Sequence, residues 1–453
     1  MTHLKKVRFE SIYSELALQK SALTLFTKTL FNRGKALSKS HDGKTLFDFA
    51  EKSGKNLWQL HRRLISKEFS FQPFIARDFN FNGKQRRIYI ATWEDKIVER
   101  CLFDLLNRKF DHWMSNNSYA YRYRKRGLDA CQHKIAKLFG TSEKPLYLCK
   151  RDVRNYFPTI DQSILLQKLK TFIDENDYLF SLIKQRIYFS HISQNETYPV
   201  TQGVAFGAPL ACFFANVYLT DLDQQMDAIP GLNYFRYADD ILFASSKHEV
   251  TDLAIDTLDA EIASLKLSLK SKAHLDAGLG LPEQRLSYIP IEKLRYLGLE
   301  FRADGSVGLS RDKLRKLRNL VRFSFKGYKR KLDKTDDLNE RLEILISCVQ
   351  RVMTVRIRSV AIIDYYLKHV SDEEQLKELD RWVAEEVLAI ALGCGHRKGN
   401  FRVVSFKRLR QLGLPSFRHR HRLLRHGHIK SDFFQLRADA INNNRRRRRL
   451  PSP

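Results

Sequence analysis

Asp239 and Asp240 are adjacent carboxylates set between apolar, aromatic-rich arms in the run Asn233-Tyr-Phe-Arg-Tyr-Ala-Asp-Asp-Ile-Leu-Phe-Ala-Ser-Ser246. Arms of that composition read as the two strands of a buried hairpin, with the acids at its turn. An Asx-type turn with no chemistry would account for them, because aspartate suits tight turns. The chemical reading is that two neighbouring carboxylates are costly to desolvate unless a cation neutralises them. Magnesium, which takes carboxylate oxygens and substrate phosphates together, would do so.

A second acidic stretch lies upstream, Tyr147-Leu-Cys-Lys-Arg-Asp152-Val-Arg-Asn-Tyr-Phe157-Pro-Thr-Ile-Asp161. It begins as an apolar strand, reaches Asp152, and leads into a helix expected from Asp161 onward. Together the two stretches resemble a family. Tyr237-Ala238-Asp239-Asp240 is similar to the Tyr-x-Asp-Asp box of reverse transcriptases, and Asp152 with Phe157 five residues on resembles their first palm motif. The resemblance implies a catalytic trio of Asp152, Asp239 and Asp240. With Val153 these would hold two Mg2+ ions, or Mn2+, that activate a primer hydroxyl and stabilise the leaving pyrophosphate. It also puts Phe157 under the nucleotide's 2′ carbon, where a ring excludes a hydroxyl; core packing is the plainer role for that side chain.

Four further stretches would surround this centre. Phe69, Phe71 and Phe74, a turn at Asn82-Gly83, and Ile88 and Ile90 read as a hairpin. Lys84-Gln-Arg86 and then Asp95-Lys96 resemble the fingers of bacterial reverse transcriptases, which makes Lys84 and Arg86 triphosphate ligands, the guanidinium pairing bidentately; a solvated basic turn is the alternative. Ser118–Gly127 interleaves three tyrosines with four cations, a composition suited to stacking on bases while holding phosphates, so Tyr121, Arg122 and Arg124 are expected on a nucleic-acid strand. In Thr201–Leu219 a loop with Gly203 and Gly207 precedes an apolar helix with Pro209 in its first turn. Ala215-Asn216-Val217-Tyr218-Leu219 is similar to the end of the family's third palm motif. Ala205-Phe206-Gly207 departs from its usual Pro-Gln-Gly, which places Phe206 and Gly207 at the nucleotide. After a helix at Leu253–Leu265, Lys272 or Lys270 stands where the family has a lysine near the pyrophosphate.

The elements that must carry these residues belong to a chain of 453 residues, long enough for two or three subdomains. The net charge of +29 and the pI near 9.8 point to a polyanionic partner, nucleic acid ahead of membrane. No apolar run reaches the roughly 18–20 residues a bilayer span needs. Six scattered cysteines without a C-x-x-C pair read as reduced thiols of a cytoplasmic protein. Residues 311–331 carry ten Lys or Arg against Asp312, with Leu314, Leu317, Leu320, Val321 and Phe323 at helical spacing. Such a helix suits a thumb laid along a duplex, with Lys313, Arg315 and Arg318 as contacts. Residues 401–453 hold fifteen Lys or Arg against two acids, and Arg418 and Arg422 are expected to help grip a folded RNA; a solubilising surface is the bland alternative.

The expected architecture is therefore α+β, a right hand divided into a helical extension (1–68), fingers (69–145), palm (146–301), thumb (302–340), a helical region (341–435) and a basic disordered tail (436–453). The expected activity is RNA-directed DNA synthesis from deoxynucleotides on a structured RNA template such as an associated non-coding RNA, in a defence-associated branch. A template-independent terminal nucleotidyltransferase and an RNA-binding maturase with an unused palm are the alternatives.

Overall fold

The computed structural model describes residues 6–30, 36–81, 84–122, 126–141, 146–194, 196–270, 293–302, 304–354, 364, 367–397 and 399–428. The Asn82-Gly83 turn, Arg124, Lys272 and the basic tail lie outside the described residues. The chain divides into two compact units, one of residues 1–131 and 144–290 and one of 132–143 and 291–453.

The first unit opens with helices Glu15–Leu30 and Ser53–Ile65. Leu18 and Ala22 are buried on the first, whereas Leu16 and Leu23 are exposed. The expected strand at Phe69 starts later, as β1 (Phe74–Phe81), which pairs antiparallel with β2 (Lys84–Ile90). The backbone N–H groups of Phe71 and Gln72 are taken by Gln185 Oε1 (2.9 Å) and Asp95 Oδ2 (3.0 Å), and Pro73 has none, so this stretch cannot enter a ladder. Helix Trp93–Phe110 follows, its start capped by the Thr92 hydroxyl, which accepts from Asp95 N.

β3 (Tyr147–Asp152) gives way to helix Gln162–Lys170, capped by the Asp161 carboxylate. Helix Tyr178–Ile187 leads into β4 (Ser190–Ser193) and β5 (Glu196–Pro199), which extend the first hairpin to a sheet in the order β2-β1-β4-β5. Helix Pro209–Tyr218 has its proline in the first turn and its apolar face buried against Trp93–Phe110 and Gln162–Lys170. After helix Thr220–Ala228 come β6 (Asn233–Tyr237) and β7 (Asp240–Ser245), and β7 pairs with both neighbours in the sheet β3-β7-β6. β7 is buried from Ile241 to Ser245, as a central strand should be, and helix His248–Ser264 covers β3 and β7.

The second unit has its own antiparallel sheet, β10-β9-β8, formed by β8 (Lys293–Tyr296), β9 (Leu299–Arg302) and β10 (Val307–Leu309). Residues 294–301, the last of the expected palm, form β8 and β9, joined by a tight turn at Leu297-Gly298 with both residues at positive φ. Helix Arg311–Lys326 buries Leu317, Val321 and Phe325, one residue per turn, while Phe323 of the expected stripe is 71% exposed. Helices Leu338–Thr354, Glu373–Ala391 and Phe417–Arg425 follow, as do the shorter helices Lys329–Leu332, Asn400–Val403 and Phe406–Gln411.

Candidate active site

The strand register brings the acids together. Asp152, the last residue of β3, pairs directly with Asp240, the first of β7, and Asp239 occupies the turn between β6 and β7. Directly opposed residues share a face of the sheet, so the pairing alone sets two carboxylates side by side. Val153 N donates to Asp239 O at 3.2 Å and ties the end of β3 to the turn. Ala238, before Asp239, takes φ 59°, a left-handed conformation that a Cβ makes costly.

Burial pushes the Asp240 carboxyl up to about 6, with the Lys150 charge opposing and Asp152 and Asp239 adding to the rise. Asp239 is raised by burial and then by the negative charge of Asp152, against a pull from Lys270 and Arg86. Lys270 reaches the centre because Leu269 bridges to Val153 and Lys270 N donates to Asp152 O at 2.9 Å; its ammonium is ion-paired with the Asp152 carboxylate. Among the described residues no three metal-ligating side chains already converge on one point. The donor chemistry nevertheless suits a divalent ion: hard carboxylate oxygens, desolvated and mutually repelling, with a monovalent ammonium holding one of them.

Beside the acids is a cavity of about 890 Å³ lined by Arg86, Arg87, Tyr121, Phe157, Phe206, Asp239 and Lys270, among others. Phe157 lies in the short helix Tyr156–Thr159, 8% exposed, edge-on to Phe206 at 5.2 Å and to Tyr121 at 6.3 Å. The Arg86 guanidinium stands 5.7 Å from the Phe206 ring centroid. The loop carrying Phe206 is fastened to β2 by Tyr89 N donating to Phe206 O at 3.2 Å. Gly207, at φ 104°, leaves no room for a side chain, since a Cβ there would meet Ile88 Cγ2 at 2.9 Å.

Asp152, Val153, Asp239, Asp240, Arg86, Phe157, Phe206, Gly207 and Tyr121 therefore meet at one place, with Tyr121 beside the nucleotide candidates. Lys84 opens β2 with its backbone opposite Phe81. Arg122 is a correction: its side chain is 0% exposed, pairs with Asp111 at 2.8 Å and donates to the carbonyls of Ser115, Ser118 and Asp111. A guanidinium so committed is a strut for the loop.

In the second unit Arg315 pairs with Asp312 at 3.0 Å, Arg318 stands over Trp382 at 5.3 Å, and Lys313 lies in the same helix. Arg418 and Arg422 both engage Glu373, at 2.5 and 3.3 Å, and stay 33% and 51% exposed. Of the two lysines offered, Lys270 is the one the structure places at the acids, and the alternation Leu265-Lys-Leu-Ser-Leu-Lys270 assigns Lys266 and Lys270 to one polar face. Lys266 pairs with Asp161 at 2.7 Å and Lys270 with Asp152. Arg87, paired with Asp78 at 3.0 Å on the cavity wall, was passed over in favour of its neighbours.

Residues 76–301, half of the chain, match the family described as reverse transcriptase (RNA-dependent DNA polymerase). The chain belongs to the reverse transcriptase family. Its α+β architecture is that family's right-hand fold. It is 25% identical over 201 residues to the retron Ec83 reverse transcriptase of Escherichia coli, covering 40% of this chain and 63% of that protein. It is 23% identical over 181 residues to a Saccharomyces cerevisiae protein described as a COX1/OXI3 intron 1 protein, covering 38% of this chain and 21% of the relative. The reverse transcriptase chain thus spans less than two thirds of either relative. Solved structures similar to it include telomerase from Candida albicans with a fragment of telomeric RNA (TM-score 0.40, 11% identity, 79% of this chain and 68% of that one). Apo telomerase from Candida tropicalis is another (TM-score 0.42, 13% identity, 80% and 72%). No described helix is long and apolar enough to cross a membrane.

Proposed function

We propose that this chain is an RNA-directed DNA polymerase that adds deoxynucleotides to a primer on a structured RNA template. The observation that carries the reading is the register pairing of Asp152 with Asp240 and the placement of Asp239 at a cavity whose lining includes the cations Arg86, Arg87 and Lys270 and the rings of Tyr121, Phe157 and Phe206. Asp152, Asp239 and Asp240, with the Val153 carbonyl, would hold two divalent ions, Mg2+ or Mn2+. When bound, these supply a lowered pKa at the primer 3′-hydroxyl and charge neutralisation at the transferred phosphoryl group.

The chain's own groups do the rest. Arg86 pairs with the triphosphate, and the Phe206 ring beneath it restricts where its fork can point. Phe157, clamped between Phe206 and Tyr121, closes the space under the sugar's 2′ carbon. Lys270, which lines the cavity and holds the Asp152 carboxylate, would serve the departing pyrophosphate as a cation or proton donor. Basic helix Arg311–Lys326 presents Lys313 and Arg315 for duplex phosphates. The Ala205-Phe206-Gly207 box and the long helical carboxyl-terminal region are the grounds for placing the chain in a defence-associated rather than a mobile branch.

Phe206 also favours a second reading, template-independent addition, because the family's template-side glutamine is missing. One experiment separates the two. Purified protein with Mg2+ and deoxynucleotides is given a primed RNA of defined sequence or the primer alone, and the products are sequenced. Complementary extension on the primed RNA carries the proposal; untemplated tails on the primer alone would replace it with the terminal transferase, and no product from either substrate would remove both.

A further inference from the structure

Arg236 lies three residues before Asp239 on β6 and is 1% exposed. A guanidinium at that depth has no water to solvate it, so each donor must find a protein acceptor. Nε and Nη2 run in parallel to Oδ1 and Oδ2 of Asp223 at 2.6 and 2.5 Å, a fork-to-fork pairing, and the Tyr234 hydroxyl donates to the same Oδ1 at 2.8 Å. Nη2 also donates to Ser118 Oγ at 2.8 Å. Nη1 donates to Ala238 O at 3.0 Å and to Asn216 Oδ1 at 3.3 Å. The Asn216 amide in turn donates to Ala120 O at 2.8 Å. The backbone repeats the connection: Arg236 N donates to Asn117 O, and Tyr119 N donates to Arg236 O.

One side chain thus joins the β6–β7 turn, the segment Asn117–Ala120 and two helices, Pro209–Tyr218 and Thr220–Ala228. Two of those pieces run straight into left-handed residues at the cavity. Ala238 (φ 59°) precedes Asp239, and Tyr121 (φ 58°) follows Ala120. Non-glycine residues keep such conformations only where their surroundings over-determine them. Stability is a poor explanation for the buried pair, since apolar residues of equal volume usually serve as well. Geometry is a better one.

We propose that Arg236, anchored by Asp223, is a positioning residue that holds the Ala238 carbonyl and the Ser118–Ala120 backbone in one frame, so that Asp239 and Tyr121 face the same cavity at a set separation. The proposal rests on the polymerase reading for its kinetic consequence and on the carboxylate site alone for its effect on metal binding.

The test uses the full chain and two readouts: Mn2+ affinity by electron paramagnetic resonance without nucleic acid, and steady-state incorporation on a primed RNA. Arg236→Lys keeps the charge and loses the fork. It is expected to weaken Mn2+ binding about 10-fold and to lower kcat roughly 10- to 100-fold, the usual cost of losing a support behind a ligand. The KM for the deoxynucleotide should stay within about 3-fold, because the nucleotide's own contacts are intact. Arg186→Lys is the control, a buried ion-pair arginine that bonds Asp95 and Gln72 O rather than the turn; it should lower the melting temperature and leave Mn2+ affinity unchanged. Wild-type Mn2+ affinity and kcat in folded Arg236→Lys would overturn the proposal. Should that variant not fold, Ser118→Ala, which removes one acceptor, decides by the same readouts: weaker Mn2+ binding supports the frame, and wild-type values overturn it. If the unaltered protein binds Mn2+ but incorporates nothing, the polymerase reading falls while the Mn2+ comparison still decides Arg236; an unaltered protein that binds no Mn2+ overturns both.

Discussion

The two acids of the β6–β7 turn in the first unit and the arginines on the helices of the second treat charge in opposite ways. In the second unit arginines close onto acids: Arg322 onto Glu386 at 2.8 and 3.0 Å, Arg420 onto Asp364 at 2.5 and 2.8 Å, Arg418 and Arg422 onto Glu373. The Glu373 carboxyl is accordingly held below its ordinary value, first by Arg418. At the cavity Asp239 and Asp240 are raised by burial, and Arg86 has a ring beneath it where a carboxylate would neutralise it. Charges settled within the protein hold it together; charges left costly await something from outside.

The largest test of that contrast is to remove the desolvated acids of the turn. Asp239→Ala with Asp240→Ala should lower nucleotide incorporation by roughly 10³-fold or more, given that single electrostatic groups at a reacting centre are commonly worth 10²–10³. Binding of the primed RNA, measured in parallel, should be unchanged. Activity retained in the double variant would make the acids an ordinary turn. The settled charges should respond the other way. Arg420→Ala strands Asp364, which is fully buried, and should cost about 3 kcal/mol of stability in chemical denaturation. A fully stable variant with weakened RNA affinity would show instead that Arg420 faces a ligand.

The same contrast explains what could be read from the sequence. The acids were legible because the hairpin that carries Asp239 and Asp240 is contiguous and its apolar arms are unmistakably strand-like; the helix after Asp161 and the proline-led helix at Pro209 were legible from their local caps. Arg122 was misread because composition reports that a residue is cationic, but Asp111 lies 11 positions away, and only the fold shows that it neutralises the buried guanidinium. The late start of β1 has a similar origin, since Gln185 and Asp95 capture the N–H groups of Phe71 and Gln72 from far along the chain. Arg236 was invisible as a hub because its partners come from three other segments.

A smaller effect sharpens the comparison inside the cavity, where Phe157 is held by rings rather than by charge. Phe157→Ala should reduce discrimination against ribonucleotides by roughly 10- to 100-fold, the scale on which apolar pockets tell neighbours apart. The measurement is kcat/KM for each sugar on one primed template, with the melting temperature as the fold control. An unaltered ratio in a folded variant would return Phe157 to core packing.

The smallest effect comes from a charge that belongs to neither class. Glu99, on helix Trp93–Phe110, is fully buried, and its Oε1 lies 2.6 Å from Arg186 Nε without hydrogen-bonding geometry; Arg186 gives its better bond to Asp95 at 2.9 Å. Burial pushes Glu99 up to about 7, with Arg186 opposing and Asp95 adding to the rise. Its folded pKa is above its unfolded one, so the stability it contributes is complete below its ordinary value of 4.5 and is lost as pH rises through about 7. Between about pH 5.5 and 8.5 the protein should lose on the order of 1–2 kcal/mol from this group. Glu99→Gln cannot ionise and should lack that part of the loss, becoming relatively more stable at the alkaline end. Urea denaturation of both proteins across this range checks it. Parallel pH profiles would mean that Arg186 settles Glu99 as fully as Arg420 settles Asp364, and the pair would then belong with the structural charges of the second unit.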